Sequence, residues 1–97
     1  MISIVLKSGK IYEYNGDIYT AFYGEGFTAV DTDGNIVVAI DENGIIHEFR
    51  EHQEVNTYGI GLMNVYIKNG IVFGTDKNGF NHEFVNGIQR STYYFKR

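Results

Sequence analysis

Two identical triplets, His47-Glu48-Phe49 and His82-Glu83-Phe84, carry the side chains best suited to chemistry in this chain. Imidazole and carboxylate together suit zinc and other divalent ions. Adjacent residues on a strand point to opposite faces, so a His-Glu pair chelates one ion only across a bulge. The alternative puts both histidines at the edge of a core, where the N-terminal part carries Tyr12. Asp31-Thr32-Asp33-Gly34-Asn35 resembles the start of a calcium loop, with Glu42 as its last ligand. Gly34 stands too early for such a loop, and apolar Ile36–Ile40 fills its interior, so a hairpin explains the segment better. Ser3, Ser8 and Ser91 lie in no Gly-x-Ser-x-Gly elbow. Gly24-Glu25-Gly26 runs into strand residues, where a phosphate loop would open a helix. Carboxylate pairs for acid–base work remain open, yet short hairpins suggest no cleft. The expectation is a non-enzymatic protein with no metal and no cofactor.

The elements that position these residues repeat. Displaced by 35 residues, Gly26–Phe49 falls on Gly61–Phe84 without a gap, with ten of 24 positions identical. The N-terminus fits as a third, diverged copy: Gly9 aligns with Gly44 and Gly79, and Tyr12-Glu13-Tyr14 with the two triplets. Tyr23, Tyr58 and Tyr93 also fall in register. On this reading the chain holds two full units and a third that is short at its C-terminal end.

Each unit reads as strands. Asn-Gly and Asp-Gly pairs stand at 15–16, 33–34, 43–44, 69–70, 78–79 and 86–87, with Ser8-Gly9 as a weaker seventh. Between apolar runs such pairs signal type I′ hairpin turns, which need positive φ at both central residues. The intervening β-branched and aromatic runs suit pleated, half-buried surfaces. No apolar period of 3.6 is sustained, and only Glu48–Val55 leaves room for a helical turn or a polar connection. The spacing predicts ten or eleven short strands in a single antiparallel all-β domain, residues 1–97. Its three imperfect hairpin repeats would form a meander, a small barrel or a trefoil-like closure. Alternation predicts Tyr12, Tyr14, His47, Phe49, His82 and Phe84 inward, and Glu13, Glu48 and Glu83 outward.

Gly26-Phe27-Thr28-Ala29-Val30 with Ile40-Asp41-Glu42-Asn43-Gly44, and Gly61-Leu62 with Val65 and Asp76-Lys77-Asn78-Gly79, resemble the WG repeat. That is a bacterial β-repeat of about this length. Val37-Val38 and Val72-Phe73 stand where the family has Trp-Gly. The resemblance implies a binding or scaffolding role and brings no chemistry with it.

Composition bounds the rest. The 97 residues (11.0 kDa) suffice for one small core. There is no Cys, hence no disulfide framework or thiolate site. Met1–Leu6 is too short for a secretory leader, no run reaches the roughly 20 residues of a membrane span, and a cytoplasmic location is expected. Heavy use of Ile, Asn, Tyr and Phe suits an AT-rich bacterial or phage genome. The net charge of −4 disfavours nucleic-acid backbones. Residues 1–54 carry ten acids and three bases, and residues 55–97 two acids and five bases.

These features point to a protein-binding module that inhibits or neutralises a larger protein, for instance a nucleic-acid-handling enzyme or a toxin, by docking on its basic surface. Asp41, Glu42, Glu51 and Glu54 are the candidate docking residues. The alternatives are a sponge for a signalling nucleotide, using Tyr93, Tyr94, Arg90, Lys96 and Arg97, or a structural accessory subunit. Thr92–Phe95 needs a strand partner, either Met1–Leu6 of the same chain or a second copy in an edge-paired homodimer. About three of Tyr19, Phe22, Tyr23, Tyr58, Tyr66, Tyr93, Tyr94 and Phe95 are expected at a binding surface, the others in the core.

Overall fold

The computed structural model describes the backbone of residues 2–94 and the side chains of residues 2–92. It contains eleven strands and no helix: β1 (Ile2–Lys7), β2 (Lys10–Asn15), β3 (Ile18–Tyr23), β4 (Ala29–Thr32), β5 (Ile36–Ile40), β6 (Ile46–Arg50), β7 (Gln53–Tyr58), β8 (Leu62–Lys68), β9 (Ile71–Asp76), β10 (Phe80–Val85) and β11 (Ile88–Tyr94). Three antiparallel meander sheets result, β1-β2-β3, β4-β5-β6-β7 and β8-β9-β10-β11. The all-β fold is as the sequence implies, in its meander form. Neither barrel nor trefoil closure occurs. The 35-residue period is structural, and its phase differs from the expected one. The short unit is the first, which has no counterpart of β4 and β8, whereas the third is a full four-stranded sheet. Pairing decides where a unit begins, and a period alone does not.

The turns follow glycine chemistry with one exception. Ser8-Gly9, Asn69-Gly70 and Asn86-Gly87 have positive φ at both residues, as type I′ requires. At the Asn43-Gly44 and Asn78-Gly79 pairs only the glycine is left-handed, and Gly44 and Gly79 N–H bond back to the Asp41 and Asp76 carbonyls. These are turns closed by a left-handed glycine, and the aspartate side chain shapes them. Asp41 Oδ1 accepts from the N–H of Asn43 and Ile45, as Asp76 Oδ1 does from Asn78 and Phe80. At Asn15-Gly16 and Asp33-Gly34 the glycine alone is likewise left-handed. The exception is Glu51-His52, where two non-glycine residues adopt φ 52° and 70°. The stretch read as a connection is thus a tight turn, and β7 follows it at once.

The three sheets stack face on face. Ile2, Ile4, Leu6, Ile11 and Tyr23 of the first meet Phe27, Val30, Val37, Ala39 and Phe49 of the second. Ile36, Val38, Ile40, Ile46 and Tyr58 meet Leu62, Val65, Ile67, Val72 and Phe84 of the third. β5 is therefore buried on both faces along its whole length, odd residues against the first sheet and even residues against the third. Backbone bonds stitch the seams: Phe27 N–H donates to Gly9 and Leu62 N–H to Gly44, each at 3.1 Å.

This stack overturns the expected facing of the second strand in each unit. Glu13 and Glu48, expected outside, are buried, and His47 stays half-exposed. Where sheets cover both faces, alternation does not separate inside from outside. A register shift follows each glutamate, at Glu13/Tyr14, Glu48/Phe49 and Glu83/Phe84. Closure by the N-terminal strand does not occur either. Among the described residues β1 pairs with β2 alone and β11 with β10 alone.

Candidate protein-docking surface

The outer face of the first sheet is aromatic and uncovered among the described residues. Along β1, Ile2, Ile4 and Leu6 turn toward the second sheet, which leaves Ser3, Val5 and Lys7 exposed. Tyr12 and Tyr14 of β2 emerge on that outer side, because Ile11 and Glu13 alternate with them and face the core. β3 adds Tyr19 and Phe22, opposite Tyr14 and Tyr12 in the register. Tyr12 and Phe22 stack with centroids 5.5 Å apart, and Tyr19 packs on Tyr12 at 6.4 Å and edge-on to Tyr14 at 5.8 Å. Phe22 is nevertheless 56% exposed, Val5 51% and Tyr19 48%. In the other sheets the position of Tyr14 is held by Phe49 and Phe84, both buried against the preceding sheet. Rings that brace one another and face water form a pre-ordered apolar surface with polar tips, the chemistry enriched at protein interfaces. The expected inward facing of Tyr12 and Tyr14 is overturned. The replacement of Phe49 and Phe84 by Tyr14 was the available signal, since a phenol tolerates water where phenyl does not.

The acidic residues do not form one free patch. Asp41 Oδ2 lies 2.7 Å from His47 Nε2, and Glu54 Oε1 lies 2.8 Å from His47 Nδ1. These two acids are brought together, but around a histidine. Burial raises the Asp41 pKa, yet the His47 bond and the Ile45 and Asn43 N–H groups outweigh it and hold the carboxyl below its ordinary range. Burial likewise lowers the His47 pKa, and its bonds to Asp41 and Glu54 more than reverse this. Glu42 is exposed beside Asp41, whereas Glu51 sits in the turn at the far end of β6. Asp31 and Asp33 are consumed structurally: they accept from the N–H of Ile67 and Gly70 at 2.9 and 3.1 Å, pinning the third sheet to the second.

Each buried glutamate is satisfied by a tyrosine. Tyr23 donates to Glu13 Oε1 at 2.6 Å and Tyr58 to Glu48 Oε1 at 2.7 Å. Burial first, and then the neighbouring carboxylate, push both phenols well up. The second oxygens meet His52 Nε2 at 2.9 Å and Arg50 at 3.3 Å. Turn strain at Glu51-His52 thus holds an imidazole on Glu13 across the seam. A cleft of about 580 Å³ opens there, lined by Glu13, Thr20, Asn35, Arg50 and His52 among others. His82 pairs with Asp76 at 2.9 Å, repeating the His47–Asp41 contact. Among the described residues no group of three His, Asp or Glu is placed to hold a metal ion.

Of the alternative ligand set, Arg90 stands 3.7 Å from Glu83. Tyr93 and Tyr94 close β11, their side chains lie outside the described ones, and Lys96 and Arg97 lie outside the described residues. Of the aromatic pool, Tyr19, Phe22 and Tyr66 are exposed, while Tyr23 and Tyr58 pack against the core clusters. No helix among the described residues is long and apolar enough to cross a membrane. The chain matches no protein-family model and no curated protein.

Proposed function

We propose that this chain is a non-enzymatic, cytoplasmic protein-binding module that docks on a larger protein through the outer aromatic face of its first sheet. The observation that carries this reading is the braced ring cluster of Tyr12, Tyr14, Tyr19 and Phe22, packed yet open to water. An aromatic surface fixed before binding loses little side-chain freedom on association. The ten acids among residues 1–54 complement a partner with a basic surface and steer it in. The module inhibits or neutralises its partner where the covered surface is the partner's working groove. A binding role is also what the resemblance to the WG repeat implies.

The test compares partner capture from host extract by wild type and by Phe22→Glu. Phe22 is exposed, so the variant keeps its fold, checked by circular dichroism. A protein retained by wild type and lost with Phe22→Glu supports the reading. Equal capture by both overturns this face as the docking surface.

A further inference from the structure

The two ends of the stack are the same two faces that the chain already packs together twice. At each internal seam the trailing face of one sheet meets the leading face of the next: Ile11 with Glu13 against Phe49, then Ile46 with Glu48 against Phe84. The leading face of the first sheet, with Tyr12, Tyr14 and Phe22, has no such cover among the described residues. The trailing face of the third sheet is its counterpart. There Asn81 and Glu83 take the places of Ile46 and Glu48, and Phe73 that of Val38. Tyr66 stacks on Phe73 with centroids 4.8 Å apart and planes 15° apart, and is 41% exposed. The opposite end carries its own stacked pair, Tyr12 on Phe22, with planes 18° apart.

We infer that the trailing face of the third sheet seats on the leading face of the first sheet of a second copy, so that chains associate head to tail. This rests on the docking face proposed above and names a second copy of this chain as a partner for it. Charge supports the direction. Residues 55–97 carry five bases and two acids, and residues 1–54 ten acids and three bases, so head-to-tail contact sets opposite signs together. Two third sheets face to face would repel. The contact is heterologous, so it extends beyond dimers unless one end is blocked. The seam between copies is smaller than the internal ones, because β4 and β8 have no counterpart in the first sheet. Association is therefore weak and depends on concentration.

The experiment is sedimentation equilibrium of wild type, Phe22→Glu, Tyr66→Glu and a one-to-one mixture of the variants, up to about 1 mM. Both substitutions are at exposed rings, and retained thermal midpoints confirm folding. Wild type should pass beyond dimer mass as concentration rises, and higher salt should reduce this. Each variant alone should remain at 11.0 kDa. The mixture should recover a dimer and go no further, because one variant keeps its leading face and the other its trailing face. A wild type that stays monomeric overturns the inference, and partner capture that still depends on Phe22 would leave the docking face standing. A wild-type dimer that Phe22→Glu abolishes and Tyr66→Glu does not would show two leading faces in contact and overturn it equally.

Discussion

The backbone N–H of Leu62 donates to the carbonyl of Gly44 at 3.1 Å, and that bond seats the third unit against the turn of the second. Gly44 has φ +77°, and a Cβ there would lie 2.3 Å from Leu62 N and 2.7 Å from Gly61. Gly44→Ala therefore combines left-handed strain with a backbone clash, and should cost about 2–4 kcal/mol. Gly16, at φ +65°, has open space around the same position. Gly16→Ala should cost only about 1–2 kcal/mol, from strain alone. Urea denaturation of the two variants measures the difference, and equal losses would refute the seam's role.

Tyr58→Phe should be costly for its size. It withdraws the donor from Glu48 Oε1, a carboxylate only 4% exposed. Leaving a buried acceptor without its donor costs about 1–3 kcal/mol. A domain of this size then loses about 4–8 °C in Tm per kcal/mol. Tyr23→Phe should do the same through Glu13.

Stability should fall on the alkaline side through His47. Both of its ring nitrogens lie within 2.8 Å of carboxylate oxygens, and only the imidazolium donates from both. Its pKa, lowered by burial but raised further by Asp41 and Glu54, stands above the ordinary 6.5. The stabilisation is complete below pH 6.5 and is lost as pH rises through the raised value. Asp41 and Asp76 act in the opposite sense. Burial opposes the lowering at Asp41, and the His82 bond leads it at Asp76. Their contribution is present above pH 3.8 and is lost as pH falls through the lowered values. Tm should thus peak between about pH 4 and 6.5. His47→Gln should lower that peak and flatten the decline between pH 6 and 8, and an unchanged decline would exclude His47 as its source.

The strained turn offers the reverse effect. Glu51 at φ 52° occupies a conformation that asparagine tolerates better. Glu51→Asn should stabilise by about 0.5–1 kcal/mol. His52→Gly relieves similar strain but removes the 2.9 Å contact with Glu13, and should give no net gain. Thermal melts of both variants decide the matter.

What the sequence by itself determined is local or periodic. Asn-Gly and Asp-Gly pairs fixed where the chain reverses, because left-handed backbone is cheap at glycine and little else. The 35-residue match between Gly26–Phe49 and Gly61–Phe84 fixed which strands are equivalent. Glu51-His52 escaped notice because its left-handed pair carries no glycine or asparagine. Only the tertiary structure decided which faces are covered. Stacking buries β5 on both sides, so Glu13 and Glu48 sit inside with tyrosine partners while Tyr12 and Tyr14 face water. Stacking also gave Asp31 and Asp33 backbone donors 36 and 37 residues away, and folded Asp41 and Glu54 around His47. A residue type states what bonds it is able to make. The neighbour that fills them comes from another sheet, and no local pattern encodes that.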